Sequence, residues 1–218
     1  MGELRRGVGA QVGWWRSQSV RYLLRYPSPY LCHLINRARH TQFGEQAAVQ
    51  VARSHLKTQR LLPHPPILLE VEGGEAYMPR PIVSVHVRQG DKVQEMRLFS
   101  FAAHMWMAEL LRAHVPDVAS IWLSTEMQSV VESSKAYSGW AFHYTGNQRQ
   151  TGAISMHRYE DLDFKNIVEM SLVNLIVSSQ CDFFIGSLGS NWNRLIDELR
   201  LTNGRVKAAY MSLNSGEF

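Results

Sequence analysis

Two stretches of the chain place chemically able side chains where a ligand can use them. In VSVHVRQGDK, residues 83–92, Val83, Val85 and Val87 alternate with Ser84, His86 and Arg88. Period-two alternation marks a strand, because successive side chains point to opposite faces. The polar set ends in an imidazole and a guanidinium, and Gly90 then releases the chain into a loop with Asp91 and Lys92. Such an ending is expected at the carboxyl edge of an α/β sheet, where ligands bind. An edge strand with a solvated polar face fits the same alternation. The second stretch, GSLGSN at 186–191, follows the apolar run DFFI and opens a helix. Backbone N–H groups at that helix start, with the Ser190 hydroxyl, suit an anion. The turn is neither a G-x-G-x-x-G fingerprint nor a Walker loop. In a parallel sheet it shares the carboxyl edge with the Arg88 loop, so both can face one ligand.

Other candidates reduce to structural roles. Asp161 and Asp163 are spaced as a Mg²⁺ pair can be, but Asp163 stands where a helix cap belongs and Asp161 falls in the acidic loop YEDLD. The histidines are scattered, and none has zinc-like spacing with Cys32 or Cys181, so no metal is expected. No nucleophile elbow is present. Trp14 and Trp15 are read as core residues. The two cysteines, far apart in sequence, neither imply nor exclude a disulfide.

The elements that position these residues follow from periodicity. A helix runs from about Val12 until Pro27 stops it, and a second spans 28–39 on Tyr30, Leu31, Leu34 and Ile35. Residues 43–60 can extend helically, and 61–80, rich in proline, read as an irregular connection. Strands are expected at 82–88, 120–124, 140–144 and 182–185. Helices are expected at 99–114, with Phe99, Ala103, Trp106, Leu110 and Leu111 inward, and at 127–136. Two more follow, one after Asp163 on Phe164, Ile167, Val168, Ser171, Leu172, Leu175 and Ile176, and one from Ser190 to Leu199. This alternation predicts an α/β fold: a Rossmann-like parallel sheet with helices on both faces, preceded by a helical segment over 1–60.

Bulk properties agree with one domain. The chain has 218 residues, 45% of them hydrophobic and 19% charged, enough for one sizeable core. The net charge of +4 hides an asymmetry: residues 1–60 carry ten Lys/Arg against two acids, and the rest are net negative. The basic segment is suited to phosphates, nucleic acid or a membrane surface. No RNA-binding module signature accompanies it, so nucleic acid is not the expected partner. No run approaches the roughly 20 apolar residues of a membrane span, and neither a signal peptide nor a myristoylation signal is recognisable.

Taken together, VSVHVRQGDK, CDFFIGSLGSNWNRLIDE and the upstream VRYLLRYPSPYL resemble the donor-binding half of the α1,6-fucosyltransferase family, over about residues 12–200 with 42–80 as an insertion. The resemblance implies the donor domain of a GT-B-like glycosyltransferase that moves fucose from GDP-fucose to a glycan or glycoprotein acceptor. Transfer is with inversion and without a metal or other cofactor. It implies that His86 contacts the nucleotide and that Arg88 holds the diphosphate, since a permanently charged fork matches two phosphate oxygens. Ser190 and Asn191 complete the phosphate end. Gln89, Asp91 and Lys92 belong to the motif, with Lys92 grouped among the catalytic residues beside Arg88. Asn174 falls where the family binds guanosine, and Glu95 is the acid placed to take the acceptor's proton. The chain departs from the family in three places: Gln89 replaces a second arginine, Asn174 replaces an aspartate, and the base register falls on Met96, one residue past Glu95. A catalytically degenerate GDP-sugar-binding relative is the nearest alternative; an RNA- or membrane-surface-binding protein is the distant one. A Golgi address is implied only through family segments outside the matched stretch.

Overall fold

The computed structural model describes residues 2–24, 29–58, 78–89, 97–151, 163–202 and 210–214, with side chains from 13 onward and excluding 45–58. Two long helices, α1 (Gly2–Leu23) and α2 (Pro29–Thr58), precede the sheet. Helix and strand then alternate: β1 (Ile82–Val87), α3 (Phe101–His114), β2 (Ser120–Thr125), α4 (Gln128–Ser134), β3 (Ala141–His143), α5 (Phe164–Gln180), β4 (Phe183–Gly186), α6 (Asn191–Thr202) and β5 (Tyr210–Ser212). Among the described residues the strands form one five-stranded sheet in the order β3-β2-β1-β4-β5, with every pairing parallel. The chain winds outward from β1 through β2 to β3. It then crosses back to β4 and continues to β5 in the other direction. The order therefore reverses between β1 and β4, and a crevice opens there at the carboxyl ends.

Burial explains why β1 sits at the centre. All six of its residues are buried, as are all six of β2, the pattern of strands covered on both faces. The edge-strand alternative for residues 82–88 is thus overturned. Val83, Val85 and Val87 pack with Phe101, Met105 and Leu111 of α3 and Val130 of α4. Ile82 and Trp122 face the other way, against Leu34 and Phe43 of α2 and Val173 and Val177 of α5. Phe184 and Ile196 join Leu175 beneath α6, with Leu24 from the end of α1's turn.

The amino ends of β1 and β4 are pinned by one carboxylate. Asp182 Oδ2 accepts from the Ile82 N–H at 2.9 Å and Oδ1 accepts from Arg80 at 2.5 Å. Arg200, buried in α6, donates to the Cys181 and Asp182 carbonyls at 2.6 and 3.0 Å. Helix α1 is fastened to α6 by polar contacts: Arg16 and Ser17 both donate to Glu198, and Arg21 to the Thr202 carbonyl. Arg39 likewise donates to Gln180. Part of the basic N-terminal charge is thus committed to holding α1 and α2 against α6 and α5.

Several sequence expectations need correction. The helices expected at 28–39 and 43–60 are one continuous α2, which contributes both Leu34 and Phe43 to the core beside Ile82 and Trp122. Trp14 and Trp15 are 55% and 66% exposed, since α1 turns its Ser17 side toward α6. On α3 the inward set is Phe101, His104, Met105, Ala108 and Leu111; Trp106 is 65% exposed. Helix α5 buries Val173, Leu175 and Val177, and its first turns project past the sheet so that Phe164 is 67% exposed. Residues 59–77, most of the irregular connection, lie outside the described residues, as does Asp161. Asp163 caps α5 as expected, accepting from the Asn166 N–H at 3.1 Å. Strand β5, three half-buried residues, had no sequence signal. Both cysteines are free thiols, Cys32 exposed and Cys181 buried. Among the described residues no helix is long and apolar enough to cross a membrane.

Candidate ligand site at the carboxyl edge

A cavity of about 430 Å³ opens at the strand-order reversal, lined by five segments of the chain. His86 and Arg88 come from the end of β1, and Ser124, Thr125 and Glu126 from the end of β2. Asn147 to Gln150 come from the segment after β3, and Ile167, Met170, Ser171 and Asn174 from α5. Gly189, Ser190, Asn191 and Trp192 come from the β4–α6 turn. This volume falls within the usual range of small-molecule pockets, roughly 300 to 1,000 Å³. Of the sequence-predicted residues, His86, Arg88, Asn174, Ser190 and Asn191 meet here.

Arg88 is placed by a partner that sequence reasoning missed. Its Nη1 lies 2.9 Å from Glu126 Oε1, and the Gln89 N–H donates to the same oxygen at 2.8 Å. Burial pushes the Glu126 carboxyl up; Arg88 and the Gln89 N–H pull it partly back. Glu126 closes β2 in SIWLSTE, a position that resembles no motif, and only the β1–β2 register (Val87 opposite Thr125) brings it beside Arg88. Gln89, by contrast, does not reach this cavity. It lines a separate depression with Phe101, Ala102, Val130 and Tyr137 on the α3–α4 side, because consecutive extended residues point to opposite faces. Asp91, Lys92 and Glu95 lie outside the described residues.

His86 is 7% exposed, and burial first, then the nearby Arg88 and His104 charges, lower its pKa to about 3. Its Nδ1 is buried without a well-aligned partner, as is Asn193 Oδ1, although the Asn193 side chain is near enough to favour the protonated ring slightly. The imidazole at the cavity is therefore neutral at physiological pH. Asn193 is itself fixed by donating to the Ser187 carbonyl at 2.8 Å. A Cβ on Gly186 would lie 2.6 Å from Asn193 Nδ2, so this glycine is needed for the close approach of β4 and α6. Gly186→Ala is expected to lower stability by about 1–3 kcal/mol through overpacking. Urea midpoints will measure this, and adding Asn193→Ala should return part of the loss; no rescue would mean the strain lies elsewhere.

Asn174 is oriented by two hydroxyls. Its Oδ1 accepts from Ser124 Oγ at 3.3 Å, and its Nδ2 donates to Thr145 Oγ1 at 3.1 Å. Opposite it, Ser190 holds the N-cap position of α6, where its carbonyl accepts from the Arg194 N–H at 3.2 Å. The start of this helix presents partial positive charge to the cavity. No group of three or more potential metal ligands occurs among the described residues.

The topology and this edge define a Rossmann-like α/β domain with helices on both faces. No protein-family model matches the chain. No curated protein matches it either. Among solved structures it is similar to POFUT1 in complex with GDP-fucose, at 15% identity and a TM-score of 0.38, over 62% of this chain and 41% of that one. It is also similar to POFUT1 in complex with GDP, at 14% identity and a TM-score of 0.36, over 62% of this chain and 44% of that one. The apo form of POFUT1 gives 14% identity and a TM-score of 0.35, over 61% of this chain and 42% of that one. The chain thus spans less than half the length of these structures, and likeness at this level carries no function across.

Proposed function

We propose that the carboxyl-edge cavity binds a nucleoside diphosphate sugar, GDP-fucose, and that the domain is the donor half of an inverting fucosyltransferase of the α1,6 type. The observation that supports this reading is convergence. His86 and Arg88 lie about 100 residues from Ser190 and Asn191 in sequence, yet both pairs line one cavity of suitable size. In this reading Arg88 neutralises charge that grows on the diphosphate as the sugar bond breaks, and Glu126 holds the guanidinium in position. The α6 start receives phosphate through backbone N–H groups. His86, neutral and desolvated, meets the nucleotide as a hydrogen-bonding surface rather than as a charge. The acceptor is a glycan or glycoprotein.

A second reading, a GDP-sugar-binding protein without transfer, is favoured by Gln89 lying away from the cavity and by Asn174 being an amide tied to two hydroxyls. Titration calorimetry with GDP and GDP-fucose is the first test, with saturable binding of both expected. Uptake of neither would sink both readings. GDP-fucose turnover, followed as GDP release, then separates them: release supports the transferase, and binding without release supports the carrier.

A further inference from the structure

The lining of the cavity holds a positive charge that its own residues do not balance. Arg149 is 8% exposed, and its guanidinium is held by neutral oxygens: Nε donates to the Thr125 carbonyl at 3.2 Å and Nη1 to the Asn147 carbonyl at 3.2 Å. Nη2 donates to the Thr145 carbonyl at 2.7 Å and meets the Thr145 hydroxyl at 3.4 Å. The Tyr144 ring lies under it, 5.3 Å away. Among the described residues no carboxylate pairs with it. The acid on the cavity lining, Glu126, is engaged with Arg88 at 2.9 Å. The two therefore offset one another and leave Arg149 in surplus on a lining that also carries the partial positive charge of the α6 start. A guanidinium has five N–H donors, so these four contacts leave one Nη1 hydrogen for a ligand. A buried cation without a counter-charge is costly, and an anionic ligand relieves that cost.

We propose that Arg149 is the electrostatic anchor for the phosphate of the ligand, a binding residue outside both motifs that marked the site. The identity of the ligand as GDP rests on the reading above; the anchor itself requires only an anion of the phosphate class. The three carbonyls hold the guanidinium fixed while supplying no full negative charge. A phosphate entering the cavity meets a preorganised cation and needs no rearrangement of the 145–150 segment.

The competing role is a clamp that merely fastens 145–150 onto the end of β2, and charge dependence separates the two. Calorimetry with GDP, guanosine and inorganic pyrophosphate is run on the full chain, on Arg149→Met and on Arg149→Gln, at low and high salt. Glutamine keeps an N–H₂ for the carbonyls while removing the charge, so it serves if the methionine variant fails to fold. An anchor predicts that GDP and pyrophosphate weaken at least about tenfold in either variant, with a shallower salt dependence and little change for guanosine. Equal weakening of guanosine and GDP would reduce Arg149 to a clamp, and unchanged GDP affinity would remove it from the site. Pyrophosphate bound by the wild type and lost by the variants, without GDP binding, would keep the anchor and sink the donor reading. Failure of the wild type to bind either anion overturns both.

Discussion

Replacing Arg88 with alanine is expected to weaken GDP binding by roughly 10- to 100-fold, the usual worth of hydrogen bonds to a charged group, about 1.5–3 kcal/mol. The variant also loses the cation that offsets Glu126, whose carboxylate then faces the diphosphate with backbone N–H groups alone to temper it. Arg88→Ala/Glu126→Gln should therefore recover part of the affinity, a sign that the two residues act as a unit. Arg88→Lys should not restore it, because an ammonium cannot fork onto two phosphate oxygens. In a transferase, turnover falls along with affinity, since the guanidinium meets more charge in the transition state than in the ground state. Calorimetry and GDP release measure the two parts separately. Wild-type affinity in Arg88→Ala would place the ligand elsewhere.

The second large effect is acid sensitivity. His86, His104 and His143 all have pKa values lowered, in each case first by burial, with His86 at about 3. The fold keeps these rings neutral, while the unfolded chain protonates them near pH 6.5. Below that pH the unfolded state binds more protons, so stability falls as pH falls, by up to about 1.4 kcal/mol per pH unit for each histidine. For His86 the decline continues to about pH 3. Glu126 and Asp197, raised mainly by burial, work in the opposite sense just above the ordinary carboxylate range, because the folded state takes up their protons first. The histidines outnumber them and begin to act at higher pH. Urea midpoints should hold between pH 7.5 and 6.5 and drop steadily toward pH 4, with a shallower drop in His86→Gln. Midpoints unchanged between pH 7.5 and 5 would show that the buried rings are not neutral in the fold.

What was legible in the sequence depended on the kind of signal. β1 and β4 were readable because an alternating valine run and the DFFI cluster are local patterns, and the turns after them marked the sheet edge. Helical faces were less so. Trp14, Trp106 and Phe164 fit an apolar stripe by spacing, but a helix buries whichever side meets the sheet, and that is a tertiary fact. Glu126 and Arg149 were not legible at all. One follows an ordinary strand and the other sits in an irregular segment, and each acquires meaning only from parallel register and from the neutral oxygens around it. Gln89 shows the converse. It belongs to the motif by sequence, yet the pleat sends it to the far face.

The pairing of β1 with β4 also governs how the protein can come to exist. Ile82 meets Asp182 across 100 residues, so the pairing beside the crevice is the longest-range strand pairing in the sheet. Such contacts return nothing until a large loop has been closed, and topologies built on them fold slowly. During synthesis β1, β2 and β3 emerge well before β4, and one side of β1 waits as an open edge. That edge is a template for pairing with another chain. The crevice is thus also the seam at which this chain is most exposed to misassembly, and neither half of the sequence can build it alone.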